Sequence, residues 1–130
     1  MYRYVRVENA TRETTVAATC RVAGSIRERI LGLHLLPQLA AGEGLLLPGA
    51  TTIDTTFMRY PIDLVFLDRS GRVRRVVDSL APWRMVVRSS GGRDCLELPA
   101  GAAAASGTVA GDQLVLEDTP SPTGDSISPP

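Results

Sequence analysis

Two carboxylates stand in stretches that otherwise read as buried strand. Asp63 is the one polar residue of Ile62-Asp63-Leu64-Val65-Phe66-Leu67, and Glu97 interrupts Cys95-Leu96-Glu97-Leu98 in the same way. The two-residue period of a strand puts Asp63 with Val65 and Leu67, opposite Ile62, Leu64 and Phe66. It puts Glu97 with Cys95, opposite Leu96 and Leu98. A charge on a core-leaning face needs a partner, because an unpaired buried charge is costly. Two roles follow. The pair can act as acid and base, which in glycosidase-type chemistry requires a separation of roughly 5–10 Å across an open cleft. Alternatively each anchors backbone amides or an arginine, the commoner fate of such groups and the reading favoured here. Arg59, separated from Asp63 by Tyr60-Pro61-Ile62, is the nearest basic candidate.

Other chemistries find less support. His34 is the only histidine, so a two-histidine metal site is excluded and a Ser-His-Asp triad would need this one residue, without a nucleophile-elbow sequence around it. Cys20 and Cys95 belong to no C-x-x-C pair, which argues against zinc or dithiol chemistry; each reads as a small buried hydrophobe. No metal and no cofactor is expected. The Gly-rich SSGGR at 89–93 lacks the lysine of a phosphate-binding loop and reads as a hairpin tip. Arg72, Arg74 and Arg75 form a small basic cluster, but aromatic residues make up only 5% of the chain, too few for a base-stacking platform. Formal net charge is zero, so no global field draws nucleic acid or anionic lipid. Trp83 offers a large flat face with one donor, either as a ligand anchor or as a core tryptophan.

The elements that must position these residues are mostly strands. Alternation and β-branched content predict strands in YRYVRVEN (2–9), TTVAATC (14–20), LLLP (45–48), TTIDTTFM (51–58), IDLVFLD (62–68), RVRRVV (72–77), LAPWRMVV (80–87), CLELP (95–99) and QLVLED (113–118). Gly71 supplies the positive φ of a tight hairpin between the fifth and sixth of these. Ser25 and Glu28 make a capping box that opens a short helix ending before Pro37. A second short helix is expected in AGAAAASG (100–107), stopped by Gly107. Strands follow one another without alternating helices, which argues against a doubly wound parallel sheet. The expected fold is therefore mainly β (α+β): one antiparallel β-sandwich or partly open barrel of about eight short strands, with two short peripheral helices. Residues 1–118 form the domain. The Pro- and Ser-rich 119–130 has little to bury and reads as a disordered tail.

A chain of 130 residues with 44% apolar content suits one globular domain. The charged start MYRYVRVENATRE is no signal peptide, and no stretch approaches the roughly 18 apolar residues of a membrane span. A cytoplasmic location is expected.

In order along the chain, Gly32-Leu33, Met58-Arg59, Pro61-Ile62-Asp63, Glu97-Leu98-Pro99-Ala100-Gly101 and Gly111-Asp112 resemble the bacterial domain of unknown function family 192, over nearly all of residues 2–117. The resemblance implies a compact, mostly β domain with short helices. It brings no enzymatic activity, cofactor or catalytic set. Relatives usually carry a histidine or an aromatic pair just before the methionine, where this chain has Ile53-Asp54-Thr55-Thr56-Phe57-Met58; Asp54 would not replace a near-neutral base.

The expected function is a non-enzymatic binding or accessory module. Its candidate groove comprises Asp54, Met58, Arg59, Asp63, Trp83 and Glu97, and its ligand is a small polar molecule or an extended peptide. The alternatives are a hydrolase-like enzyme using Asp63 and Glu97, and a self-associating structural domain. Whether the protein is an enzyme, and its oligomeric state, are not fixed by sequence.

Overall fold

The computed structural model describes residues 2–24, 38–53, 59–82, 87–88 and 91–122. Nine strands run through them: β1 Arg3–Asn9, β2 Thr14–Val22, β3 Glu43–Leu47, β4 Thr52–Ile53, β5 Ile62–Leu67, β6 Val73–Leu80, β7 Val87–Arg88, β8 Asp94–Pro99 and β9 Leu114–Thr119. A one-turn helix, Ala102–Ala105, lies between β8 and β9. The expected Ser25 helix lies outside the described residues, as do His34 and residues 54–58 of the expected fourth strand.

Seven strands form one sheet in the order β6-β5-β8-β3-β2-β1-β9, and β4 and β7 pair separately. The sheet is mixed. β2 and β3 are parallel, which corrects the all-antiparallel expectation. Parallel neighbours need a crossover connection, and the chain between residues 22 and 43 supplies it; a strand count does not reveal strand direction. A sandwich of two comparable sheets is not formed either. One large sheet curls instead, and the two-stranded β4-β7 pair stands apart.

The curl brings the two edge strands together at one end. Arg72 and Gln113 form an antiparallel bridge. Around it Val73 N–H donates to Asp112 O at 2.8 Å, Gly111 N–H to Val73 O at 2.8 Å and Leu114 N–H to Gly71 O at 2.9 Å. Beyond this short seam β6 and β9 part, so the barrel is not closed.

The buried side chains form two cores. All seven strands of the large sheet feed the inner one, which includes Val5, Val7, Val16, Cys20, Leu46, Val65, Leu67, Val73, Leu96, Leu98 and Leu114. The second core lies on the outer face of β3, β8 and β5. It gathers Leu45, Leu47, Ile62, Leu64, Phe66 and Cys95, with Ile53 of β4 and Leu80 of β6. Every residue of β5 is therefore buried, because both faces of this strand are covered.

The hairpin between β5 and β6 follows from its sequence. Asp68 Oδ1 accepts from Ser70 N–H at 2.9 Å, Ser70 Oγ–H at 2.7 Å and Arg72 N–H at 3.0 Å. This local ring mimics a backbone turn and, led by the Ser70 hydroxyl, lowers the Asp68 pKa. Gly71 sits at φ 86°, and a Cβ there would lie 2.7 Å from Leu114 O. Only glycine fits both the turn and the seam.

Candidate functional site

Asp63 is fully buried. Its Oδ1 accepts from Ser79 N–H at 2.7 Å, and its Oδ2 accepts from Gly101 N–H at 3.1 Å and Ala103 N–H at 2.9 Å. Three features of the chain create this need. The register of β5 against β6 slips between Ile62 and Leu64, near which Ser79 takes φ 47°. The first turn of the Ala102–Ala105 helix has free amides. Gly101, at the cap with φ 94°, has no side chain to serve them. Asp63 caps that helix from a neighbouring strand, so its partner is backbone rather than Arg59, which is exposed. The anchoring role is the one the contacts show, and it ties the Pro61-Ile62-Asp63 stretch to Glu97-Leu98-Pro99-Ala100-Gly101.

Glu97 stands on the other face. In the unbroken register of β5 and β8, Asp63 lies opposite Leu98, and Leu64 lies opposite Glu97. Directly opposed residues share a face. Leu98 belongs to the inner core and Leu64 to the second. The sheet itself thus separates the two carboxyls. The acid-base pair that would have made Asp63 and Glu97 a hydrolase-like site is not formed, and the single groove holding both is not formed either. Alternation within each strand was legible in the sequence. The offset between the strands was not.

The surroundings of Glu97 are apolar. Within the sheet it is flanked by Leu64 on one side and Leu45 of β3 on the other, and Cys95 shares its face two residues away. Its Oε2 has no hydrogen-bond partner among the described residues. Desolvation with no compensating charge pushes its pKa up to about 8. Tyr60, part of the packing on this face, has its own pKa raised first by burial and then by Glu97; the Cys95 thiol is driven up by the same causes. Burial thus favours the protonated, neutral form of Glu97. It can donate one hydrogen bond and accept others.

The remaining buried carboxylate belongs to a closed network. Asp112 Oδ2 accepts from Arg12 Nε–H at 3.0 Å, Asn9 Nδ2–H at 3.0 Å and Val109 N–H at 3.1 Å. The hydrogen bond from Arg12 does most to lower its pKa, to about 2. Asn9 Nδ2–H also donates to Thr108 Oγ1 at 3.1 Å. The network fixes the end of β1 to the turn before β9. Sequence reasoning read Gly111-Asp112 only as a turn, because Asn9 and Arg12 lie about a hundred residues away.

Of the other groove candidates, Asp54, Met58 and Trp83 lie outside the described residues. Cys20 and Cys95 are both free and buried, one in each core. Among the described residues no three His, Cys, Asp or Glu side chains gather as a metal site. None of the helices there is long and apolar enough to cross a membrane. Among the described residues, depressions open on the surface at two places. One, of about 180 Å³, is bordered by Tyr4, Arg21 and Glu43; the other, of about 370 Å³, lies between the β5-β6 turn and β9.

The family model DUF192, described as an uncharacterized ACR, matches residues 7–116. The chain belongs to the DUF192 family. A UPF0127 protein of Thermococcus sibiricus is 31% identical over 99 residues, covering 72% of this chain and 62% of the relative. The DUF192 chain thus spans less than two thirds of that relative's length. Two crystal structures share the fold. One is a Sinorhizobium meliloti protein named as a candidate transcription regulator, with a TM-score of 0.76 and 24% identity over 89% of this chain and 94% of that one. The other is a Novosphingobium aromaticivorans protein of unknown function, with a TM-score of 0.72 and 22% identity over 86% and 83%. At these identities the likeness concerns fold alone.

Proposed function

We propose that this DUF192 domain is a non-enzymatic binding or accessory module, with Glu97 as its candidate polar contact. One observation carries the reading. Glu97 keeps a buried oxygen without a partner, while Asp63, Asp68, Asp94 and Asp112 all accept backbone amides. A buried polar group left unsatisfied costs about 1–3 kcal/mol, a cost that a ligand's hydrogen bond removes. A small polar molecule or an extended peptide suits one carboxyl in an apolar setting. Catalysis gains no support from the geometry, since the second carboxyl of the imagined pair lies across the sheet. A reducing, cytoplasmic setting fits two buried free thiols.

A thermal-shift screen of the full chain over sugars, nucleotides and short peptides tests the reading, run on wild type and on Glu97→Gln. A ligand at a hundred times its Kd stabilises by about 2.7 kcal/mol, a shift of several degrees. The expected result is such a shift in wild type that largely disappears in Glu97→Gln. A wild type silent to every class would overturn the reading in favour of a structural domain.

A further inference from the structure

We infer that the free edge of β9 takes an extended segment of another polypeptide as an added strand, with an arginine or lysine placed opposite Glu117. The inference goes beyond the reading above and needs nothing of Glu97, which does not border the opening beside this edge. Hydrogen bonds fix which way the edge points. Gln113 O accepts from Ala10 N–H, on the β1 side, at 2.8 Å, whereas Leu114 N–H turns away and donates to Gly71 O at 2.9 Å. The β1-β9 register runs without a slip from Asn9–Leu114 to Tyr4–Thr119. By the two-residue period, Leu116 and Asp118 therefore also aim N–H and C=O away from β1. Among the described residues no second strand receives them, because β9 ends the sheet. The β5-β6 hairpin occupies that side only as far as Leu114. Past its tip opens the depression of about 370 Å³, bordered by Ser70, Gly71, Val115 and Leu116.

Unpaired backbone groups beside an opening recognise extended backbone, and the side chains along the edge select its sequence. Glu117 is exposed and enters none of the three ion pairs among the described residues. Its cross-strand neighbour Arg6 is turned to Glu8 and Thr15 instead. A basic side chain on the added strand supplies the opposite charge. At the rim of the opening Asp68 and Asp94 outnumber Arg69, which adds to the preference. A second copy of the chain suits the edge less well. Two β9 strands related by a twofold axis at Glu117 would set Glu117 against Glu117, and like charges directly opposed are destabilising. An axis at Leu116 would set Asp118 against Leu114, whose N–H already serves Gly71. The added strand continues the antiparallel sense of the Arg72–Gln113 bridge. It thus places an apolar residue opposite the half-buried Leu116, directly after the basic one.

Fluorescence anisotropy of the full chain with a labelled peptide, acetyl-Thr-Val-Thr-Arg-Val-Thr-amide, tests this. Its arginine falls opposite Glu117 and the valine that follows falls opposite Leu116. The expected result is saturable binding, weakened about tenfold when glutamate replaces the arginine. Binding should be lost when the two peptide amides facing Leu116 and Asp118 are N-methylated. Glu117→Lys should reverse the preference and favour the glutamate peptide. Asp118→Pro removes one outward N–H and no ladder bond to β1, so it should weaken binding while circular dichroism stays that of wild type. Binding that survives N-methylation, or a preference that Glu117→Lys leaves unchanged, overturns the inference. Failure of the arginine peptide to bind at millimolar concentration overturns it too. Dimerisation of wild type in sedimentation, abolished by Asp118→Pro, would assign the edge to a second copy and overturn it as well.

Discussion

At the scale of single residues, this protein puts similar carboxylates to opposite uses. Asp63 ends on three amides, so Asp63→Ala leaves Ser79, Gly101 and Ala103 without an acceptor. At about 1–3 kcal/mol for each orphaned group, the variant should lose roughly 3–5 kcal/mol, measured as a lower urea midpoint at unchanged m-value. Asp63→Asn should recover part of this loss, since one carbonyl oxygen remains. Glu97 behaves in the reverse sense. Its folded pKa, about 8, lies above the ordinary glutamate value, so the folded state holds the proton longer. Stability is therefore fully present below the unfolded value and is lost as pH rises toward 8. The size of the effect is on the order of a few kcal/mol. Glu97→Gln should flatten that slope and be the more stable protein at pH 9, as read from urea titrations at pH 5, 7 and 9. A slope unchanged by the substitution would show that Glu97 is ionised throughout. Sequence revealed that both carboxyls sat in buried strands. It did not reveal their partners, because Asp63 finds its partners by tertiary approach and Glu97 finds none among the described residues.

Among the elements, strand identity was legible and strand relationship was not. Alternation located β1, β2, β5, β8 and β9 to within a few residues, since each buries one or both faces of a pleated sheet. The two cysteines looked interchangeable in sequence, yet the pleat sends Cys20 inward and Cys95 to the outer face. The parallel β2-β3 pair escaped notice for a physical reason: direction is set by the path of the connection, and no residue of either strand encodes it. The β5-β6 hairpin is the element best encoded locally. Gly71→Ala should be disproportionately damaging there. It would combine a left-handed φ with a Cβ at 2.7 Å from Leu114 O, and the expected cost is above about 2 kcal/mol by thermal or urea unfolding. A Gly107→Ala control shares the positive φ, but its nearest side-chain atoms lie at 3.9 Å, so it should cost clearly less.

For the whole molecule, distant ends of the chain must be held together. Arg12, Asn9 and Asp112 do this beside the seam. Asp112 has a depressed pKa, about 2, so it contributes stability above the ordinary aspartate value that is lost as pH falls toward 2. Arg12→Ala should lower stability at neutral pH and make its decline between pH 4 and 2 shallower, checked by urea midpoints across that range. The mainly β class was legible because it sums many local signals. The curl into one sheet was not, since it depends on β1 pairing with β9 and on the meeting of two hairpin regions far apart in sequence.

The pairing of β1 with β9 has a kinetic consequence. During synthesis β1 can join β2, but its other edge stays bare until Thr119 has left the ribosome. The inner core lacks Leu114 for the same interval. The sheet therefore stays incomplete until β9 has emerged, and loop-closure entropy across the full domain must be met before its last contacts form. Folding should be slow for a domain of this size, and the nascent chain should present an unpaired strand edge that chaperones can bind.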